Sequence, residues 1–133
     1  MKTAMLFSYW AARIVATLIM LQTLFFKFSG AEESIYIFST VGMEPWGRIG
    51  VGILELVASV LLLINATAWL GAGLASGLMA GALLLHLTIL GIPVKNDHGY
   101  LFFLALIVLL CSLFVLYVNK EKIQAMLKSL SKN

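Results

Sequence analysis

Two scarcities in this sequence exclude whole classes of chemistry. Cys111 is the only cysteine and falls inside an apolar run, so neither an intramolecular disulfide nor a C-x-x-C pair can form. That argues against a thiol oxidoreductase working with its own cysteines. Charged residues make up only 11% of the chain against 62% apolar ones, far from the balance of a soluble surface. The two histidines and the scattered carboxylates have no H-x-x-H or E-x-x-H spacing, so no metal is expected. No serine stands in a nucleophile context, and no glycine-rich run follows a strand to cradle phosphate.

The apolar majority is organised into four runs, roughly residues 4–26, 47–64, 67–90 and 99–118, each near the ~20 residues that cross a ~30 Å hydrocarbon core. Inside a bilayer such runs satisfy their backbone only as helices. The sequence therefore predicts an all-α transmembrane four-helix bundle, a single integral membrane domain over residues 1–133. The first run is too long for a signal-peptide core and is interrupted by Arg13, so it is read as a retained helix.

The net charge of +3 is concentrated at Lys120, Lys122, Lys128 and Lys132, after the fourth run, with Lys2 before the first. That placement predicts cytoplasmic termini by the positive-inside bias and gives no footprint for nucleic acid. The tail, residues 119–133, has Ile123, Met126, Leu127 and Leu130 on one helical face. It reads either as a helix on the anionic leaflet or as a solvated tail.

Between the first and second runs, SGAEESIYIFSTVGMEP is too apolar for a free loop and too short to span. Ser29 and Glu32 have capping-box spacing, and Gly42 and Pro45 supply a stop. A short interfacial helix at about 30–41 is expected, with Ile35, Phe38 and Val41 facing inward as a lid or an anchor. Trp46 marks the outer interface. Asn65 reads as a turn residue; the acceptor pattern Asn65-Ala66-Thr67 falls on the expected cytoplasmic side and is discounted.

The costly residue is Glu55, a carboxylate deep in the second run, sharing one helical side with Arg48, Gly52 and Ser59. At ~1.5 Å per residue it lies about 12 Å below the outer interface, and His86, running outward on the third span, about 6 Å below it. On the first span Arg13, Thr17, Met20, Leu24 and Lys27 form one stripe. Arg13 is either a snorkelling side chain or a bundle-facing cation paired with Glu55, and for Lys27 snorkelling is the favoured reading. If Arg13, Glu55 and His86 meet, they suit a proton-linked or anionic-head-group site; otherwise they clamp helix register.

Gly73, Gly77 and Gly81 make a G-x-x-x-G-x-x-x-G run on the third span, which predicts a close helix approach, in the same chain rather than in a second copy. In the link to the fourth span, Asn96 or Asp97 is placed to cap the next helix. The fourth span is apolar all round and reads as the most lipid-facing.

These residues resemble a family. Arg13, then FFKFSGAEESIYIF, GMEPWGRIGVGILELVASVLLL, HLTILGIPV and NDHGYLF in that order are similar to the DoxX-like family of small bacterial membrane proteins, over roughly residues 10–118. The resemblance implies a bundle of four transmembrane helices in the bacterial cytoplasmic (inner) membrane and carries over Arg13, Lys27, Glu55 and His86 without a catalytic role. It also implies a link to quinone-linked thiosulfate oxidation and to redox and oxidative-stress complexes.

The combined expectation is an accessory or ligand-binding subunit of a membrane redox system, holding a quinone or lipid-like ligand and not an enzyme on its own. The alternatives are a proton-coupled small-solute transporter working as a homodimer and a subunit of a quinone oxidoreductase. The candidate site residues are Arg13, Lys27, Arg48, Glu55 and His86, with Gly73, Gly77 and Gly81 for helix packing.

Overall fold

The computed structural model describes residues 2–132. Among the described residues, four helices are long and apolar enough to cross a membrane. They are α1 (Thr3–Ser29), α3 (Trp46–Leu63), α4 (Ala68–Leu85) and α5 (Tyr100–Val118), with short α2 (Glu32–Thr40) between the first two and α6 (Lys120–Ser131) after the last. The chain is an all-α, multi-pass membrane protein.

Local signals explain the ends of these helices. α1 stops at Gly30, whose φ of 69° is the left-handed conformation that glycine enters without strain; its N–H returns to Lys27 O and that of Ala31 to Phe26 O. The expected capping box before α2 is not formed. Ser29 Oγ donates to Phe26 O behind it, and α2 begins at Glu32 without a side-chain cap. Its inward face is also rotated from the expected one. Phe38 is buried, but Ile35 is exposed, and Ser34 and Ile37 turn inward instead. A short turn, Asn65–Thr67, joins α3 to α4, and α4 continues through one π turn, His86–Leu90, to Gly91.

α1 and α4 each pack against both α3 and α5, so the spans close in the ring order α1, α3, α4, α5. The half of the ring near the termini is solid. Ala16, Ala58, Ala68, Ala72 and Ala75 are fully buried, and these small side chains let the helix backbones close around Met20, Leu62, Val108 and Val115. Tyr9 Oη, accepting from Asn119 Nδ2 at 2.9 Å, joins the start of α1 to the end of α5.

A close backbone approach falls at a glycine outside the repeat. A Cβ on Gly71 would stand 2.7 Å from Leu62 N and 2.8 Å from Ala58 O, so only glycine fits where α4 crosses α3. Gly73, Gly77 and Gly81, expected to make that approach, have nothing within 4 Å of a Cβ position among the described residues. All three are exposed on the outer side of α4, because the small face that the bundle uses is the one carrying Ala68, Gly71, Ala72 and Ala75. α5, expected to be the most lipid-facing span, shares the lowest buried fraction, 22%, with the third span, below α1 at 28% and α3 at 33%.

Candidate functional site

Near α2 the ring does not close on itself. A cavity of about 830 Å³ lies between the four spans under α2, within the ~300–1,000 Å³ typical of ligand pockets. Its wall is mostly aliphatic and aromatic, with Ser34, Ile37 and Phe38 of α2 forming the cover.

The charged centre of this cavity is a pair. Lys27 Nζ lies 2.8 Å from Glu55 Oε1, and Thr23 Oγ1 donates to Glu55 Oε2 at 2.7 Å. Both carboxylate oxygens are therefore engaged, and the Glu55 side chain is 2% exposed. The pair exists because Thr23 and Lys27 are one turn apart on α1 and face the α3 side that carries Glu55. Lys27, expected to snorkel, instead turns inward, since its ammonium gains more from a desolvated carboxylate than from a headgroup at the helix end. Thr23 was missing from the sequence reading, although its four-residue spacing from Lys27 was visible there.

Arg13 does not meet Glu55 or His86. Its Nε donates to Leu62 O at 2.6 Å and its Nη1 to Asn65 Oδ1 at 2.9 Å, while the guanidinium carbon sits 3.7 Å from the centre of the Trp10 ring. Arg13 is fully buried in the solid half, so it is neither a snorkelling side chain nor part of the cavity. It ties α1 to the carbonyl end of α3 with neutral acceptors and an aromatic face. The reason is reach: Lys27 and Thr23 approach Glu55 from closer along the same helix, and Arg13 finds the unpaired carbonyls that every helix end leaves.

Arg48 also sits outside the cavity. It holds Glu44 through Nε and Nη2 at 2.9 Å and donates Nη1 to Lys27 O at 2.5 Å, closing the end of α1. It is a positioning residue, because it fixes the backbone from which Lys27 reaches inward.

His86 is buried and lines the cavity from the far side, edge-on to Phe102 with ring centroids 5.7 Å apart. Its Nδ1 lies 3.0 Å from Gly91 O, and because a carbonyl only accepts, Nδ1 carries the proton. In the neutral ring Nε2 is then an acceptor, and it has no protein partner among the described residues. Asp97 is the helix cap: Oδ1 accepts from Val94 N at 2.9 Å and Gly99 N at 2.8 Å, and Oδ2 from Leu101 N at 3.2 Å. Burial works to raise its pKa. Those three N–H groups, helped by nearby His86, outweigh burial and hold Asp97 below its ordinary 3.8.

The cover is latched at its edge. Lys95 Nζ, from the loop before α5, donates to Glu32 Oε1 of α2 at 2.8 Å and stands 5.4 Å from the centre of the Tyr36 ring. This hydrogen bond lowers the Glu32 pKa and raises that of Lys95.

The charges around the cavity decide what fits it. Among the described residues Lys27 is the one cationic side chain in its wall, against the three carboxylates of Glu33, Glu55 and Asp97, so the lining carries an excess of negative charge. Glu55 neutralises Lys27 directly, and an anionic headgroup, one of the uses expected for the polar cluster, finds no surplus cation. The ammonium has three donors and spends one on Glu55, which leaves donors for a neutral acceptor such as a carbonyl. No group of three or more metal-ligating side chains occurs among the described residues.

A family model described as DoxX matches residues 9–88, a stretch that contains Arg13, Lys27, Glu55 and His86. Neither a curated protein nor a solved structure matches the chain.

Proposed function

The chain belongs to the DoxX family, and from that premise we propose that it is a ligand-binding accessory subunit of a membrane redox system, holding a neutral, carbonyl-bearing amphiphile such as a quinone or a neutral lipid. The observation that carries this reading is the Lys27–Glu55 pair set in the wall of an apolar cavity of about 830 Å³. Lys27 supplies the donor that fixes a carbonyl, His86 faces it with an acceptor at Nε2, and the aliphatic wall takes the hydrocarbon part. Binding, rather than catalysis on its own, is the role we assign to these groups.

The redox setting and the bacterial inner membrane come from the family resemblance. The basic tail supports cytoplasmic termini, which puts the cavity in the outer half of the membrane. A proton-coupled transporter is the second reading. Transport would require the solid half to open across Arg13 and Leu62, where the clasp between α1 and α3 is buried.

The test is extraction. Protein purified in mild detergent is extracted with organic solvent, and the extract is compared by mass spectrometry with the bulk lipid of the same membranes. Enrichment of one neutral carbonyl-bearing amphiphile in the wild type, lost in Lys27→Met, is the expected result. An extract that mirrors the bulk lipid in both proteins would refute the reading.

A further inference from the structure

The cavity continues past the interior of the bundle. On α4, Met79 and His86 face the core, while Gly77 and Gly81 stand two residues to either side of Met79 and, at ~100° per residue, point away from it. Yet Gly77, Gly81 and Leu84 line the same cavity as His86, and Leu84 is 62% exposed. The hollow must therefore wrap around one flank of α4 to reach its outer face.

That flank is the one toward α3. Gly71, Leu78 and Leu85 repeat at seven-residue spacing and share a side of the helix. At Gly71 this side touches the α3 backbone at Leu62 and Ala58, so the two helices are in contact near the termini. Because α3 and α4 run antiparallel, Leu78 falls opposite Val51, and Leu78, Leu85 and Val51 all border the cavity. The two helices are in contact at Gly71, and nearer α2 the facing sides of both border the cavity.

We infer that the α3–α4 seam is a lateral portal: a neutral amphiphile enters from the bilayer with its polar head toward Lys27 and His86 and leaves its hydrocarbon chain lying between Val51 and Leu78, out over Gly77 and Gly81. This inference rests on the ligand-binding reading above and deepens it to ligands that carry a chain. Three observations support it independently of the glycine repeat. His86 lines the cavity, is 5% exposed, and its Nε2 has no protein partner among the described residues. The wall on the seam side is apolar, so a chain crosses it without losing hydrogen bonds. Leu84, which lines the cavity, is 62% exposed on a helix apolar enough to span a membrane, where a water-soluble ligand would have no route.

The experiment uses the full chain in detergent with two probes, a long-chain monoacylglycerol carrying a photoactivatable diazirine midway along its chain and a short-chain monoacylglycerol. Gly81→Trp is the test variant, since a Cβ there meets nothing within 4 Å and the side chain starts from open space. The expected result is photolabelling of Val51 and of Leu78 to Leu84, with Gly81→Trp weakening the long-chain probe about tenfold and sparing the short one. Unchanged long-chain binding in Gly81→Trp, or labels confined to α1 and α5, would overturn the portal and leave the cavity reading intact. If neither probe binds the wild type, the portal is overturned, and the cavity reading stands or falls by the extraction.

Discussion

Lys27 reaches from α1 to place its Nζ 2.8 Å from Oε1 of Glu55 on α3, and Thr23 occupies the other carboxylate oxygen. A buried pair of this kind contributes little relative to a well-packed apolar pair, but removing one partner strands the other charge. Glu55→Gln is therefore expected to destabilise the bundle by about 3–5 kcal/mol, read as a drop in detergent melting temperature. The double variant Lys27→Met with Glu55→Met recovers most of that loss, since neither charge is left alone. A double variant as unstable as the single one would show that the pair is not the source of the loss.

Arg13 is predicted to act on stability and not on the ligand. Arg13→Lys keeps the charge but cannot make both the Leu62 O and Asn65 Oδ1 bonds while stacking on Trp10. The expected loss is about 1.5–3 kcal/mol in melting, with bound-ligand content unchanged. Loss of ligand at unchanged melting temperature would place Arg13 in the binding machinery instead.

The two kinds of glycine on α4 should separate cleanly. Gly71→Ala forces a Cβ against the backbone of Leu62 and Ala58 and is expected to cost about 1–3 kcal/mol. Gly77→Ala meets open space inside a helix and should stabilise by about 0.5–1 kcal/mol through its lower backbone entropy. Thermal melting of the two variants side by side decides it, and equal losses would contradict the assigned crossing point.

The loop before α5 should respond to acid. Asp97 has its pKa held below 3.8 in the folded protein, so its contribution is complete above 3.8 and is lost as pH falls through the depressed value. Glu32, held below 4.5 by Lys95, behaves in the same sense, so the latch on α2 weakens at acid pH as well. The Lys95 pKa is raised above 10.5, and its part of the latch persists until pH climbs through that raised value. Hydrogen exchange at Val94, Gly99 and Leu101 should speed up in acid in the wild type and be fast at neutral pH in Asp97→Ala. Protection in the variant equal to the wild type would refute the capping role.

Much of the architecture was legible because its signals are local. Four apolar runs of spanning length, a polar break with Gly42 and Pro45 before the second span, and Asp97 just ahead of the fourth each depend on a few consecutive residues. The anomaly at Glu55 was legible for the same reason. Its partner was not: Arg13 and Lys27 lie on one stripe of α1, and which of them reaches Glu55 depends on how far α3 is shifted along α1. The same limit applies to the glycines of α4, where the regular repeat drew attention to Gly73, Gly77 and Gly81 while helix rotation put Gly71 at the crossing.

By itself, then, the sequence determined that this protein crosses a membrane four times as helices and keeps one carboxylate among apolar residues, because hydrophobic length and backbone hydrogen bonding leave no other solution. Only the tertiary structure decided that Lys27 and Thr23 hold that carboxylate, that Arg13 closes the solid half, and that a cavity opens under α2. Those outcomes depend on the rotation and relative shift of packed helices. Such quantities are set by side-chain volumes from several segments at once, such as the five fully buried alanines and Gly71, and by no single stretch of chain.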